Sequence, residues 1–267
     1  MKNTFGFIGT GNMGGALARA AAKGMAEENV FLSDGNAAKA QALAQELGCA
    51  AVEVAEAAKC GYIFLGVKPQ NIAQLLEQIK PVLEARTEEF VLVSMVAGVC
   101  ISDIQKMAGH AYPVIRIMPN TPVAVGSGVI LYDVSANVSE AAIRQFCENM
   151  RFGGLVDHLP EKLIDAGCAV TGCGPAFACL FVEALADGGV LCGLPRDKAT
   201  EYAARMLMGT AQLLLETGKH PGQLKDAVCS PGGSTIAGVQ ALEKNGLRAA
   251  AIEAVEASYV RTQMLGK

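Results

Sequence analysis

Two rhythms divide the chain. Over residues 1–159, short uninterrupted apolar runs alternate with stretches in which Ala, Leu and Ile recur every three or four positions among Glu, Lys and Gln. The runs 4–8, 30–33, 62–67, 91–95, 114–117 and 128–132 read as strands. They are apolar throughout rather than at alternate positions, which predicts burial on both faces. The stretches 14–23, 37–47, 71–80 and 139–150 read as helices. Strand and helix alternating in this way predict a doubly wound, mostly parallel sheet covered by helices on both sides.

Beyond Pro160 the strand rhythm stops. Segments 162–170, 176–191, 197–216, 235–244 and 247–265 have helical composition and spacing, and in the last of them Leu247, Ile252, Val255, Tyr259 and Met264 form one apolar face. The expected organisation is therefore an α/β domain over 1–159 and an all-α domain over 160–267. No Pro- or Ser-rich linker separates them, which predicts close packing. A helical segment this rich in Ala, Leu and Met has more apolar surface than a lone subunit buries, which predicts helix exchange with a second copy.

Composition narrows the partners. With 22 Lys and Arg against 26 Asp and Glu, the net charge of −4 argues against nucleic acid. A hydrophobic fraction of 51% with 18% charged residues excludes a disordered chain. The longest uncharged stretch, 166–182, is broken by glycines and Pro175 and falls short of the ~20 apolar residues of a membrane span. Glycines and the polar Thr10-Gly11-Asn12 follow Lys2 too closely for a cleavable signal. Nine scattered cysteines without a C-x-x-C pair or an adjacent His pair predict no disulfide framework and no metal site. They predict reduced, buried thiols and a cytoplasmic setting.

The first candidate site is Gly9-Thr10-Gly11-Asn12-Met13-Gly14, set between the first strand and the first helix. In that context G-x-G-x-x-G predicts a Rossmann-like dinucleotide site: Gly9 for the tight turn, Gly11 for approach of a pyrophosphate, Gly14 for helix–strand packing. Asp34, about 20 residues past Gly14, stands where a carboxylate accepts from a ribose 2′-hydroxyl, which favours NAD(H). Ser33, Asn36 and Lys39 stand where they would contact a 2′-phosphate if Asp34 turned outward, which favours NADP(H). Both readings stand at this level. Val67-Lys68-Pro69, Ala97-Gly98 and Asn120, between Pro119 and Pro122, follow later strands and should line the same crevice.

The second candidate is Ser230-Pro231-Gly232-Gly233-Ser234-Thr235. Consecutive glycines beside Ser and Thr at a helix start expose N–H groups in an array that suits a carboxylate. The plainer alternative is a helix capped by Ser234 or Thr235.

Together, the N-terminal glycine turn, Val67-Lys68-Pro69, Met118-Pro119-Asn120-Thr121-Pro122, Gly172-Cys173-Gly174-Pro175-Ala176-Phe177, His220-Pro221-Gly222-Gln223 and the 230–235 turn resemble pyrroline-5-carboxylate reductase, essentially end to end. The chain departs from the usual family pattern at Cys173, where Ser is common, and at Asp34. The resemblance implies reduction of 1-pyrroline-5-carboxylate to L-proline, the last step of proline biosynthesis, with NADP(H) preferred and NAD(H) accepted. It implies a homodimer through the C-terminal helices, in some members assembled further into decamers. It also implies a substrate in the 230–235 loop, near the nicotinamide and at the dimer interface. On the residues themselves, the carboxylate is expected on Ser230, Gly232, Gly233 and Ser234, the imine nitrogen on Thr235, and the nicotinamide against Pro119, Asn120 and Pro175.

Three alternatives compete. A β-hydroxyacid dehydrogenase would need a lysine early in the helical half, and none lies between Lys162 and Lys198. A thiol enzyme centred on Cys173 has no His beside it in sequence. A non-catalytic NADPH sensor would not need the second anion turn. Glu183 and Asp187 read as one polar helix face, and His220 as a helix-start contact.

Overall fold

The structure is a computed structural model and describes residues 1–265. The chain divides into two compact units. One comprises residues 1–173 with the C-terminal residues from 258 on, and the other residues 174–257.

The first unit is built on one eight-stranded sheet: β1 (Phe5–Ile8), β2 (Val30–Ser33), β3 (Ala50–Ala51), β4 (Tyr62–Leu65), β5 (Val91–Ser94), β6 (Val114–Pro119), β7 (Gly128–Val134) and β8 (Gly154–His158), in spatial order β3-β2-β1-β4-β5-β6-β7-β8. Every neighbouring pair is parallel except β6–β7. Strand order reverses between β1 and β4, and ligands of such sheets lie at that switch point, beyond the carboxyl ends of the strands.

The uninterrupted apolar runs are explained by two cores. Phe5, Phe7 and Phe64 point to one side, against Leu17 of α1 (Asn12–Ala22) and Phe146 of α6 (Glu140–Met150). Ile8, Ile63 and Leu65 point to the other, against Leu76 and Ile79 of α4 (Ile72–Glu84). Phe7 and Phe64 stack at 4.2 Å, and buried Tyr62 keeps its hydroxyl satisfied by donating to the Ala142 carbonyl at 2.8 Å. Each such buried side chain contributes about 1.5–3 kcal/mol, so the strand centre is held by packing on both faces.

All six expected strands are present, and α1, α2 (Ala37–Leu47), α4 and α6 lie where helices were expected. The sequence reading missed β3, β8, α3 (Val54–Ala57) and α5 (Ile101–Ala108). Two are too short to show a period, and in α5 a polar Ser-Asp-Gln-Lys content masks the buried Ile101 and Ile104. In β8, exposed Leu155, Asp157 and His158 mark a sheet edge, not a buried run. The helix α7 (Glu161–Thr171) follows Pro160, where strand rhythm ends, yet it belongs to the sheet-bearing unit; the compact units divide at 173/174, not at the expected 159/160.

The second unit holds α8 (Gly174–Leu191), α9 (Arg196–Thr217), α10 (Pro221–Ala227), α11 (Ser234–Lys244) and the first part of α12 (Leu247–Leu265). Small residues bring α8 and α9 together: Ala186, Ala199 and Ala203 are buried. The large apolar side chains are not. Leu180 is 65% exposed, Leu191 89% and Leu215 84%, and the apolar stripe of α12 leaves Leu247, Ile252, Tyr259 and Met264 exposed.

Residues 161–191 pass by length and composition for a membrane-crossing segment, but they form two helices, α7 and α8, interrupted at Gly172-Cys173. All nine cysteines are free thiols, but the expectation of burial holds only for Cys60; Cys179, on an uncovered face of α8, and Cys192, in the turn just after it, are exposed. Burial pushes the Cys60 thiol up to about 11.

Candidate active site

The first glycine turn lies at the switch point of the sheet. Gly9 follows β1 with φ 103°, a conformation that glycine adopts without strain. A side chain there would run into the Gly66 carbonyl at the end of β4, 2.3 Å away, and one on Gly14 would meet the Gly9 carbonyl at 2.0 Å. Over Gly11 nothing of the chain lies within 4 Å of where a Cβ would stand. Gly11 is also the N-cap of α1, in extended conformation and with no side-chain cap. The first N–H groups of this helix therefore face an open space that only a residue without a side chain leaves free, the arrangement a pyrophosphate needs. Thr10 is buried, Asn12 is exposed, and Met13 packs against the core, so Met13 offers a ligand its backbone rather than its side chain.

A cleft of about 490 Å³ opens beside this turn, lined by Gly9, Gly11 and Asp34 on one side and by Val67, Lys68 and Asn71 on the other. Gln74 and Gln78 of α4 line it too. The sequence reading missed Asn71, Gln74 and Gln78, although their i, i+3, i+7 spacing is the signal of one polar helix face.

Asp34 turns inward. Its Oδ2 accepts from the Thr10 N–H at 2.7 Å and from the Thr10 hydroxyl at 3.1 Å, and its Oδ1 accepts from the Asn36 N–H at 2.9 Å. Burial raises its pKa, but the bonds from Asn36 and Thr10 and the charge of Lys39 outweigh that and hold it below the ordinary value. Asn36 caps α2, its Oδ1 accepting from the Ala38 N–H at 3.2 Å. Ser33 is buried, and Lys39 is exposed on the first turn of α2.

Ala97 and Gly98 form a turn after β5, closed by the Val99 N–H on the Val96 carbonyl at 3.4 Å, with Gly98 at φ 74°. Pro69 opens a short helical turn after β4. Asn120 is buried and fully engaged: its Nδ2 donates to the Thr171 carbonyl at 3.0 Å, and its Oδ1 accepts from the Val129 N–H at 2.8 Å. Its side chain therefore braces the turn after β6, a role the sequence did not show.

Also unforeseen is Arg116, 4% exposed in the middle of β6. It donates to Glu161 at 3.2 Å and to Asp165 at 2.7 Å, both on α7. Glu161 in turn accepts from the Ile101 N–H at 2.7 Å, at the start of α5.

In the helical unit, the 230–235 segment opens α11. The Gly233 N–H donates to the Ser230 carbonyl at 3.0 Å, with Pro231 and Gly232 (φ 69°) between them. Proline followed by a glycine of positive φ is the signature of a type II turn. The N-cap is Gly233, extended and without a side-chain cap, so neither Ser234 nor Thr235 caps the helix as the plainer alternative required. Ser230 Oγ lies against Gly233, where a Cβ would be 2.4 Å from it. Ser230, Gly232, Ser234 and Thr235 are exposed. Pro175, half-buried, lies in the first turn of α8.

Two side readings hold. His220 starts α10 by accepting from the Gly222 N–H at 3.1 Å, while Gln223 accepts from the His220 N–H at 3.2 Å, a capping box. Asp187 pairs with Arg196 on the exposed side of α8 and α9.

Residues 161–265 match the family model described as pyrroline-5-carboxylate reductase dimerisation, and residues 4–98 the model described as NADP oxidoreductase coenzyme F420-dependent. The chain is 36% identical to the pyrroline-5-carboxylate reductase of Escherichia coli (strain K12) over 271 residues, covering 100% of both. It is 37% identical to that of Pisum sativum over 268 residues, 98% of this chain and 96% of the relative. Among solved structures, the Plasmodium falciparum pyrroline carboxylate reductase with NADP bound superposes with a TM-score of 0.87 at 30% identity, covering 100% of this chain and 99% of the other. A pyrroline-5-carboxylate reductase from Coxiella burnetii gives 0.89 at 29% identity, covering 99% and 98%.

Proposed function

The chain belongs to the pyrroline-5-carboxylate reductase family, and from that premise we propose how its residues share the reaction. It is an oxidoreductase that reduces 1-pyrroline-5-carboxylate to proline in proline biosynthesis, and it binds NADP(H). One observation carries the division of labour. Both glycine-rich turns end on helices whose N-cap is an extended glycine without a side-chain cap, Gly11 before α1 and Gly233 before α11. Each leaves unpaired N–H groups and the positive end of a helix dipole for an anion.

The first turn, with Gly9, Thr10, Gly11, Asn12 and Met13, holds the pyrophosphate. Ser33, Asp34, Asn36 and Lys39 border the adenosine ribose. Val67, Lys68, Pro69, Ala97, Gly98, Asn120 and Pro175 border the rest of the dinucleotide. The bound nicotinamide supplies the hydride. The second turn holds the substrate carboxylate on the N–H groups of Gly232 and Ser234 and on the Ser230 hydroxyl, with Gly233, whose own N–H closes the turn on the Ser230 carbonyl, giving the ligand close approach. Thr235 orients the imine nitrogen through its hydroxyl. Thr is a poor acid, so the imine binds already protonated and Thr235 accepts from its N–H.

The helical segment serves oligomerisation. We read the assembly as a homodimer through the C-terminal helices, with larger assemblies of dimers built on it. Nine unpaired thiols fit a reducing cytoplasm.

The test follows nicotinamide absorbance with and without 1-pyrroline-5-carboxylate. Nucleotide oxidation that depends on the imine is expected, and its absence with both NADPH and NADH would overturn the reading. Thr235→Ala should lower kcat/KM by less than the ~10²–10⁴ of a lost general acid; wild-type turnover would remove Thr235 from the mechanism.

A further inference from the structure

Of the described side chains that line the cleft beside the first glycine turn, Asp34 is the one carboxylate and Lys68 the one cation. The carboxylate is held in place. Three donors fix it at both oxygens: the Thr10 N–H and hydroxyl on Oδ2, and the Asn36 N–H on Oδ1. Those bonds favour the ionised form, so the group is charged at neutral pH. Withdrawing it from the cleft would break all three and leave the Thr10 N–H, on a buried residue, without its partner.

The neighbours that would grip a second phosphate at this end of β2 are few. Ser33 is 2% exposed. The Asn36 oxygen caps α2, which leaves its Nδ2 to donate. Beside it stands Lys39, whose charge acts on Asp34 itself.

We propose that Asp34 is the specificity-determining residue of the nucleotide site: a fixed charge that penalises the 2′-phosphate of NADP(H) relative to NAD(H), while its bonds to Thr10 brace the turn both nucleotides need. The proposal rests on the reading of this cleft as the nucleotide site. It does not deny NADP(H) binding; it says that Asp34 weakens it. A fixed like charge facing a phosphate in a partly buried cleft changes affinity by roughly tenfold.

The experiment is calorimetric binding of NADPH, NADH and ADP to the full chain and to two variants, with no turnover required. Asp34→Asn removes the charge but keeps an acceptor for the Thr10 N–H. Asp34→Ala removes both. For Asp34→Asn, NADPH should bind roughly tenfold tighter, with NADH and ADP changed by less than about threefold. Asp34→Ala should weaken ADP, which carries the pyrophosphate and no 2′-phosphate, because the turn has lost its brace. The proposal is overturned if Asp34→Asn shifts NADPH and NADH equally, or leaves their ratio within about twofold of the wild type. A wild-type chain that binds none of the three ligands would instead overturn the reading of the cleft as a nucleotide site.

Discussion

The Asn120 carboxamide bridges two backbones, accepting from the Val129 N–H at 2.8 Å and donating to the Thr171 carbonyl at 3.0 Å. It thereby joins the turn after β6 to the last residue of α7. Arg116, four residues earlier and within β6 itself, ties down the first half of that helix through Glu161 and Asp165. Strand β6 and the turn after it thus hold α7 at both ends, and through Glu161 also the start of α5.

Asn120→Ala would leave the partly buried Val129 N–H and Thr171 carbonyl without this partner, at about 1–3 kcal/mol for each group water does not reach. Urea unfolding should show a loss in that range, and kcat should fall with it, because the turn bearing Asn120 borders the proposed dinucleotide site. Asn120→Asp keeps the acceptor for Val129 but sets an oxygen against the Thr171 carbonyl. It should be no more stable than the alanine variant. Wild-type stability in both would show that the bridge is dispensable.

The two later glycines of the first turn should respond oppositely to the same change. In Gly14→Ala the new methyl meets the Gly9 carbonyl at 2.0 Å, a backbone atom that cannot step aside. Helix and strand must part, so the thermal midpoint should fall. In Gly11→Ala nothing of the chain lies within 4 Å of the methyl, and the φ of −64° is open to alanine, so the structural cost is limited to alanine's weaker N-cap preference, about 1 kcal/mol or less. Its thermal midpoint should stay near that of the wild type while nucleotide affinity falls by tenfold or more, since a methyl that displaces a phosphate forfeits about 1.4 kcal/mol per decade. Thermal melts and nucleotide titration of both variants decide the matter. A Gly11→Ala chain that binds normally would place the pyrophosphate elsewhere.

The parallel sheet was legible because its strands are buried on both faces, and a run such as Phe5-Gly6-Phe7-Ile8 has no polar alternation to mislead. What escaped was structure without a period: the two-residue β3, the four-residue α3 and the exposed edge strand β8. Both glycine turns were legible because glycine next to a helix start has few other uses. The bridge of Asn120 and the ion pairs of Arg116 were not, since their partners are 51, 45 and 49 residues away and no local pattern joins them. The direction of Asp34 was open for the same reason, with Thr10 lying 24 residues off. The thiols were misjudged as buried because a chain read alone does not tell which face of α8 its own residues cover.

That face makes the last prediction. Between α8 and α9 runs a groove of about 850 Å³ whose lining includes Ala176, Cys179, Leu180, Val182, Ala186 and Ala204. Small side chains on its floor let another helix approach closely, and Leu180 stands 65% exposed at it. Apolar surface of this extent marks a contact with a partner, and the family model over 161–265 is one for dimerisation. Leu180→Asp would replace burial worth about 2 kcal/mol with a carboxylate that must be desolvated. In a two-fold interface the change enters twice, so association should weaken by about 4 kcal/mol or more, a factor of roughly a thousand in Kd. Sedimentation velocity at micromolar concentration should then show the variant at the mass of one chain and the wild type at a multiple of it. Circular dichroism should retain most of the helical signal, because Leu180 packs little within its own chain. If Leu180→Asp sediments as the wild type does, the α8–α9 groove is not the surface through which the copies meet.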